Sequence, residues 1–183
     1  MKNYIFFLVG LFFFIPPSLS FADNGVDFIP TVTVRGVFTG FVFRNNILSP
    51  DSDDSVHYDL VEVSDPAFPL SQYPYGIVQF REPEGFRASD FCAQPEDNKI
   101  TTYFCSFRGV NLTGTYFSLI PTNTGAVLIK NIITGKCLSS GSEGTGFPDL
   151  EKCILNPSQS EEPDRQLWFL APAVTASEMS PLS

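Results

Sequence analysis

An all-β fold, arranged as a three-lobed barrel, is predicted by three observations. Almost no window of the chain shows helical period, and the best, residues 173–179 (AVTASEM), is short and bounded by prolines. Short runs of β-branched and aromatic residues are instead divided by Gly, Pro and Asn turns, the pattern of sandwiches and small barrels. One motif also recurs: Tyr58-Asp59-Leu60, Phe117-Ser118-Leu119 and Trp168-Phe169-Leu170 each present an aromatic, a spacer and a leucine. In a strand that spacing puts both apolar side chains on one face. The hairpins before these motifs match as well. Residues 34–43 (VRGVFTGFVF) align with 129–138 (IKNIITGKCL), with Thr-Gly at the same step, while the middle copy, 76–93, carries an insertion before Cys92. Three copies in steps of roughly 50 residues predict a β-trefoil with core aromatics Tyr58, Phe117 and Trp168 around a pseudo-threefold axis.

Residues 1–22 read as a secretory signal peptide. Lys2 is followed by the apolar run 5–15 (IFFLVGLFFFI), then Pro16-Pro17 and the cleavage pattern Ser20-Phe21-Ala22. The apolar run is only about half the roughly 20 residues that span a bilayer. Residues 23–31 (DNGVDFIPT) show no hydrophobic period and predict an extended N-terminal arm. The trefoil domain is expected over 32–170. Within it, 32–43 alternates apolar and polar residues and breaks at Thr39-Gly40, a hairpin. The acidic stretch 45–55 predicts a surface loop, 56–63 a strand, and the proline-rich 65–75 (DPAFPLSQYPY) neither helix nor ladder. Residues 76–81 resume a strand, 82–89 form a loop, and 90–93 and 103–107 read as short strands with one cysteine each. Residues 111–114 predict a turn, and 171–183 a C-terminal tail.

Export and four cysteines together imply two disulfides, with three possible connectivities. In a trefoil lobe, a cysteine in the hairpin and one ahead of the closing aromatic strand meet across the lobe, which gives Cys92-Cys105 and Cys137-Cys153. No Cys-x-x-Cys spacing accompanies the single histidine, so neither a metal nor any other cofactor is expected. The net charge is −9. Removing Lys2 with the signal leaves ten basic against twenty acidic side chains, a balance that opposes nucleic acid and polybasic membrane docking. Catalysis is not expected either. His57 neighbours the core aromatic Tyr58 and should point away from the core, with no evident nucleophile beside it. The pairs Asp53-Asp54 and Glu161-Glu162 are adjacent in loops and read as solvated charge, not as carboxylates held across a cleft.

The third lobe, with Cys137-Leu138, Cys153 and the Gln-x-Trp motif of Gln166 and Trp168, resembles a ricin B-type lectin repeat. Residues 117–140 (FSLIPTNTGAVLIKNIITGKCLSS) and 75–80 (YGIVQF) are more specific, and resemble the C subunits of the cytolethal distending toxins. The resemblance implies a ricin B-type, lectin-like trefoil that is no enzyme. Such a chain would pair with a second trefoil, the toxin's A subunit, to bind host cells and deliver a DNase I-like nuclease, its B subunit. It would act outside the producing cell, after export through the periplasm, at the host surface. The arm, with Asp23, Val26, Phe28 and Ile29, would contact the nuclease. Host-side partners would be a surface glycan, a glycoprotein or a cholesterol-rich membrane. A free-standing secreted carbohydrate-binding lectin is the alternative, and a small trefoil hydrolase a third reading.

Ricin-type sugar binding needs a carboxylate just after the Cys-Leu step. Here the third lobe has Ser139, the second reads Cys92-Ala93-Gln94 and the first Val42-Phe43-Arg44, so the galactose site does not carry over. The cholesterol-recognition pattern of some members has one formal counterpart, Leu70, Tyr75 and Arg81. Phe68, Tyr73 and Tyr75, in the proline-rich loop, are the candidate exposed receptor-binding residues.

Overall fold

The computed structural model describes residues 30–44, 47–49, 57–82, 91–141, 148–155 and 163–172. The expected signal peptide, the arm residues Asp23, Val26, Phe28 and Ile29, and nearly all of the C-terminal tail lie outside them.

Lobe 1 consists of β1 (Thr31–Gly36), β2 (Val42–Arg44), β3 (Ile47–Ser49) and β4 (Tyr58–Glu62). Lobe 2 runs through β5 (Val78–Arg81), β6 (Phe91–Glu96) and β7 (Lys99–Phe104), then a small hairpin of β8 (Ser106–Phe107) and β9 (Val110–Asn111), and closes with β10 (Phe117–Pro121). Lobe 3 comprises β11 (Val127–Asn131), β12 (Lys136–Ser139), β13 (Asp149–Lys152) and β14 (Leu167–Pro172). First and last strands of the lobes form a closed six-stranded barrel, because β1 pairs with β4 and β14, β5 with β4 and β10, and β11 with β10 and β14. The long seams join successive lobes: Asp59↔Arg81 to Glu62↔Val78, Phe117↔Asn131 to Pro121↔Val127, and Val32↔Pro172 to Gly36↔Trp168. The hairpins β2–β3, β6–β7 and β12–β13 supply six more strands, and β8–β9 forms a separate two-stranded sheet. This is the β-trefoil that the repeat predicts.

Period-2 alternation explains the core. Strand β1 shows it most cleanly, with Val32 and Val34 buried while Thr31, Thr33 and Arg35 are half-buried. Each type of strand contributes one buried residue per lobe: Val34, Phe80 and Ile129; Phe43, Ala93 and Leu138; Leu48, Ile100 and Leu150; Tyr58, Phe117 and Trp168. Leu60, Leu119 and Leu170, the far members of the aromatic-x-Leu motif, pack against that cluster from the rim. Burial of this apolar surface is the main term holding the barrel together. Aromatic contacts link two lobes directly, with Tyr58 edge-on to Phe80 at 6.0 Å and Phe80 edge-on to Phe117 at 5.5 Å between ring centroids.

The matching Thr-Gly steps fold alike. Gly40 N–H donates to Gly36 O at 2.9 Å and Gly135 N–H to Asn131 O at 3.0 Å, and both glycines have positive φ, 69° and 67°. That conformation strains any residue with a Cβ. Asn131, fully buried in the third lobe, adds a lock: Nδ2 donates to Gly114 O and Tyr116 O, and Oδ1 accepts from the N–H and hydroxyl of Thr134.

Three elements differ from the sequence expectation. Ile47–Ser49 is a strand paired with β2, although the 45–55 window reads as loop; the rest of that window lies outside the described residues. The second lobe's hairpin is longer than two short strands around the cysteines. Strands β6 and β7 pair over six residues each and reverse at Asp97-Asn98, both with positive φ (47° and 66°), as a two-residue hairpin turn requires. Residues 103–107 are not one strand, because the chain leaves β7 at Cys105 and starts a separate two-stranded sheet.

Candidate functional site

The Gln-x-Trp motif is structural. Gln166 ends a 3₁₀ turn (Pro163–Gln166) with its side chain fully buried; Nε2 donates to Lys152 O and Oε1 accepts from Ile154 N–H, both at 2.9 Å. These two bonds bracket Cys153. Trp168 has no exposed surface and donates from Nε1 to Leu138 O at 3.0 Å. An indole buried in this way offers no face for a sugar. Tyr58 and Phe117 are buried in the same core.

Ser139, at the position of the sugar-binding acid, is also fully buried, and its hydroxyl accepts from Gly141 N–H. Gln94 is half-buried; the side chain of Arg44 lies outside the described residues. Among the described residues, no group of three or more acidic, Cys or His side chains is placed to hold a metal. His57 is half-buried.

Two disulfides close the second and third lobes, Cys92–Cys105 and Cys137–Cys153. Cys92 and Cys105 are both buried, whereas Cys153 is half-buried. A polar lock flanks the first bond: Gln79, fully buried, donates from Nε2 to Cys105 O and to Thr115 Oγ1, while its Oε1 accepts from the Arg81 guanidinium. Arg81 is thereby committed to the barrel wall, while Leu70 and Tyr75, the other members of the cholesterol-like pattern, are exposed in the loop.

The three loop aromatics separate into two kinds. Tyr75 is exposed, but Phe68 and Tyr73 are half-buried and pack on a second apolar cluster of Val63, Ile77, Tyr116 and Ile132. Phe68 lies edge-on to Tyr73 at 5.9 Å and to Tyr116 at 5.7 Å. The expectation that all three face solvent is corrected for Phe68 and Tyr73, because the loop folds back over the barrel and uses them as its anchor. Tyr116 completes the anchor by donating its hydroxyl to Asp65 Oδ2 at 3.2 Å.

Burial, followed by the hydrogen bond and charge of Asp65, raises the Tyr116 pKa above its usual value of 10.0. The unfolded chain therefore loses this proton at a lower pH than the folded one. The stabilising contribution is complete below pH 10.0 and is lost as pH rises through the folded value. Tyr116→Phe should accordingly flatten the alkaline decline of the melting temperature above about pH 10. An unchanged decline would show that Tyr116 titrates as an ordinary phenol.

Sequence reasoning missed a patch on the second lobe. Tyr103, Phe104, Phe107 and Val110 are all exposed, with Phe107 at 61% and Val110 at 68%. Phe104 stacks on Phe91 at 5.2 Å and meets Tyr103 edge-on at 5.7 Å, and the Arg108 guanidinium sits 5.2 Å from the Phe107 ring centroid. The signal was in the chain as an aromatic-rich run around Cys105.

Comparison with known proteins places these features in a family. Residues 31–181 match the model of the cytolethal distending toxin A/C domain. The chain is 30% identical to the C subunit of the cytolethal distending toxin of Escherichia coli over 149 residues, spanning 79% of this chain and 77% of the relative. To the A subunit of the Haemophilus ducreyi toxin it is 29% identical over 83 residues, which is 45% of this chain and 36% of the relative. Among solved structures, a chain of the cytolethal distending toxin of Actinobacillus actinomycetemcomitans superposes with a TM-score of 0.62 at 26% identity, over 88% of this chain and 97% of that one. A designed 3-fold symmetric protein, ThreeFoil, superposes with a TM-score of 0.52 at 12% identity, over 77% of this chain and 97% of its own. That likeness speaks to the fold alone.

Proposed function

The chain belongs to the cytolethal distending toxin A/C domain family, and from that premise we propose that it is the C-type, non-catalytic delivery subunit of a tripartite toxin. The carrying observation is the breadth of the match to the C-type relative, which spans most of both chains, against less than half of either for the A-type relative. In this reading the protein is exported after loss of residues 1–22 and pairs with an A-type trefoil. Together they carry a DNase I-like B subunit to a host surface glycan, glycoprotein or cholesterol-rich membrane. Two disulfides suit an oxidising, extracellular destination. Burial of Ser139 and Trp168 supports a receptor contact made away from the ricin-type sugar position. Strands β1 and β14 pair at Val32 and Pro172, so the first and last described strands of the barrel are neighbours. In this reading the arm and the tail clasp one partner, with Asp23, Val26, Phe28 and Ile29 as the nuclease-facing residues.

The test is to add the mature chain to cultured cells alone, with either partner, and with both. Host DNA damage is expected only from the three-component mixture, with weak cell binding by the isolated chain. Strong, sugar-inhibitable binding by the chain alone would favour the free-standing lectin instead.

A further inference from the structure

Among the described residues, the β8–β9 hairpin has no counterpart in the other two lobes, and it is built as a rigid projection. Its base is closed three ways: by the Cys92–Cys105 bond, by Leu112 N–H donating to Cys105 O at 2.9 Å, and by Gln79 Nε2 donating to the same carbonyl. Thr115 Oγ1 donates to Leu112 O at 2.6 Å and ties the exit strand down. The ladder pairs Ser106 with Asn111 and Phe107 with Val110, leaving the two-residue turn Arg108-Gly109. Both turn residues have positive φ, 53° and 78°. Asn or Gly would take the first of those positions with less strain, so an arginine there points to a use for its side chain.

What the hairpin presents is chemically uniform. Phe107 and Val110 stand most exposed, Tyr103 and Phe104 lie beside the base, and Arg108 is the one charged residue among positions 103–111. In a chain of net charge −9, an apolar tip with a single cation is a local exception. We propose that this hairpin is a lipid-surface anchor, which seats Phe107 and Val110 below the phosphate level of a zwitterionic membrane, with Arg108 and Tyr103 at the headgroups. Charge complementarity between Arg108 and the phosphates, and the preference of amphipathic rings for the membrane interface, recommend lipid. Phe107 and Val110 face each other across the ladder, and the free outer edges of so short a hairpin keep its insertion at the interfacial layer. The acidic body opposes adsorption to anionic lipid, so the anchoring is apolar in character and not the salt-sensitive polybasic kind.

The experiment is vesicle flotation of the mature chain, from Asp23, with phosphatidylcholine vesicles. Wild type should float. The paired change Phe107→Ser with Val110→Ser should lower the bound fraction at least about ten-fold, with unchanged melting because both side chains are exposed. High salt should not release the protein, and added phosphatidylserine should not increase binding. A second variant, Phe107→Trp, should float and show a lipid-dependent blue shift, against the constant signal of the buried Trp168. The proposal is overturned if wild type does not float, if the serine variant floats as well as wild type, or if Phe107→Trp binds with no spectral shift. A serine variant that floats normally but no longer binds the A-type trefoil would assign the hairpin to a protein interface. The assay contains no partner protein, so its failure leaves the toxin reading to the three-component cell test.

Discussion

Trp168→Ala should destabilise the domain by about 3–5 kcal/mol, the largest single-residue effect expected here. Two losses combine. The side chain is wholly buried in the core cluster, so truncation leaves a cavity that the surrounding strands fill only in part. Its Nε1–H also satisfies Leu138 O, and that carbonyl would be left buried without its donor. The position aggravates both, because Trp168 pairs with Gly36 across the β1–β14 seam and with Val127 across β11–β14. A Cβ at Gly36 would meet the indole at an ordinary 3.5 Å but the Thr39 hydroxyl at only 3.0 Å, so the glycine makes room for the turn that follows β1. For a domain of this size the loss corresponds to roughly 6–20 °C in melting temperature, measured by far-ultraviolet circular dichroism because the only tryptophan is removed. Trp168→Phe keeps most of the ring volume and should fall between the two. A Trp168→Ala protein that melts with wild type would take the residue out of the core.

The paired change Cys92→Ala with Cys105→Ala should cost about 3 kcal/mol from the freed loop alone, on a chain-entropy account; the sequence separation is 13. The local consequence is more diagnostic than the global one. Cys105 is the residue on which the base of the β8–β9 hairpin converges, so amide exchange across 105–112 should accelerate while β11 to β14 keep their protection. Breaking Cys137–Cys153 should instead loosen the loop held by Gln166. Limited reduction should open that second bond first, since Cys153 is half-exposed and both sulfurs of the first are buried. Unchanged exchange in the hairpin of the Cys92/Cys105 variant would sink the argument.

These effects follow from features that differ in how far the chain itself discloses them. The threefold core was legible because aromatic-x-Leu in a strand commits two side chains to one face, and three such commitments in one chain imply a shared interior. The Thr39-Gly40 and Thr134-Gly135 steps were legible because positive φ has few suitable residues. Ile47–Ser49 was not: three residues are too few to show alternation, and the Asn and Pro around them carry the signal of a loop. The Asp97-Asn98 turn escaped because Pro95, Glu96 and Lys99 mask the strands it joins. The fate of Phe68 and Tyr73 was hidden for a different reason. Their partner Tyr116 lies far along the chain, and only the closed barrel brings the proline-rich loop over it. Exposure of the second-lobe aromatics is likewise a product of the separate hairpin, which a reading of 103–107 as one strand conceals.

The seam between β1 and β14 also governs the order of events in time. The first and last strands of the domain are each other's neighbours over five residue pairs, so no N-terminal portion of the chain contains a complete barrel. A polypeptide emerging from the ribosome holds one exposed side of β1 in waiting until the residues through Pro172 have been made. Such long-range pairing is slow to form because the loop-closure entropy must be met before the contact is gained. Late closure therefore leaves the barrel open until its last described strand has been made.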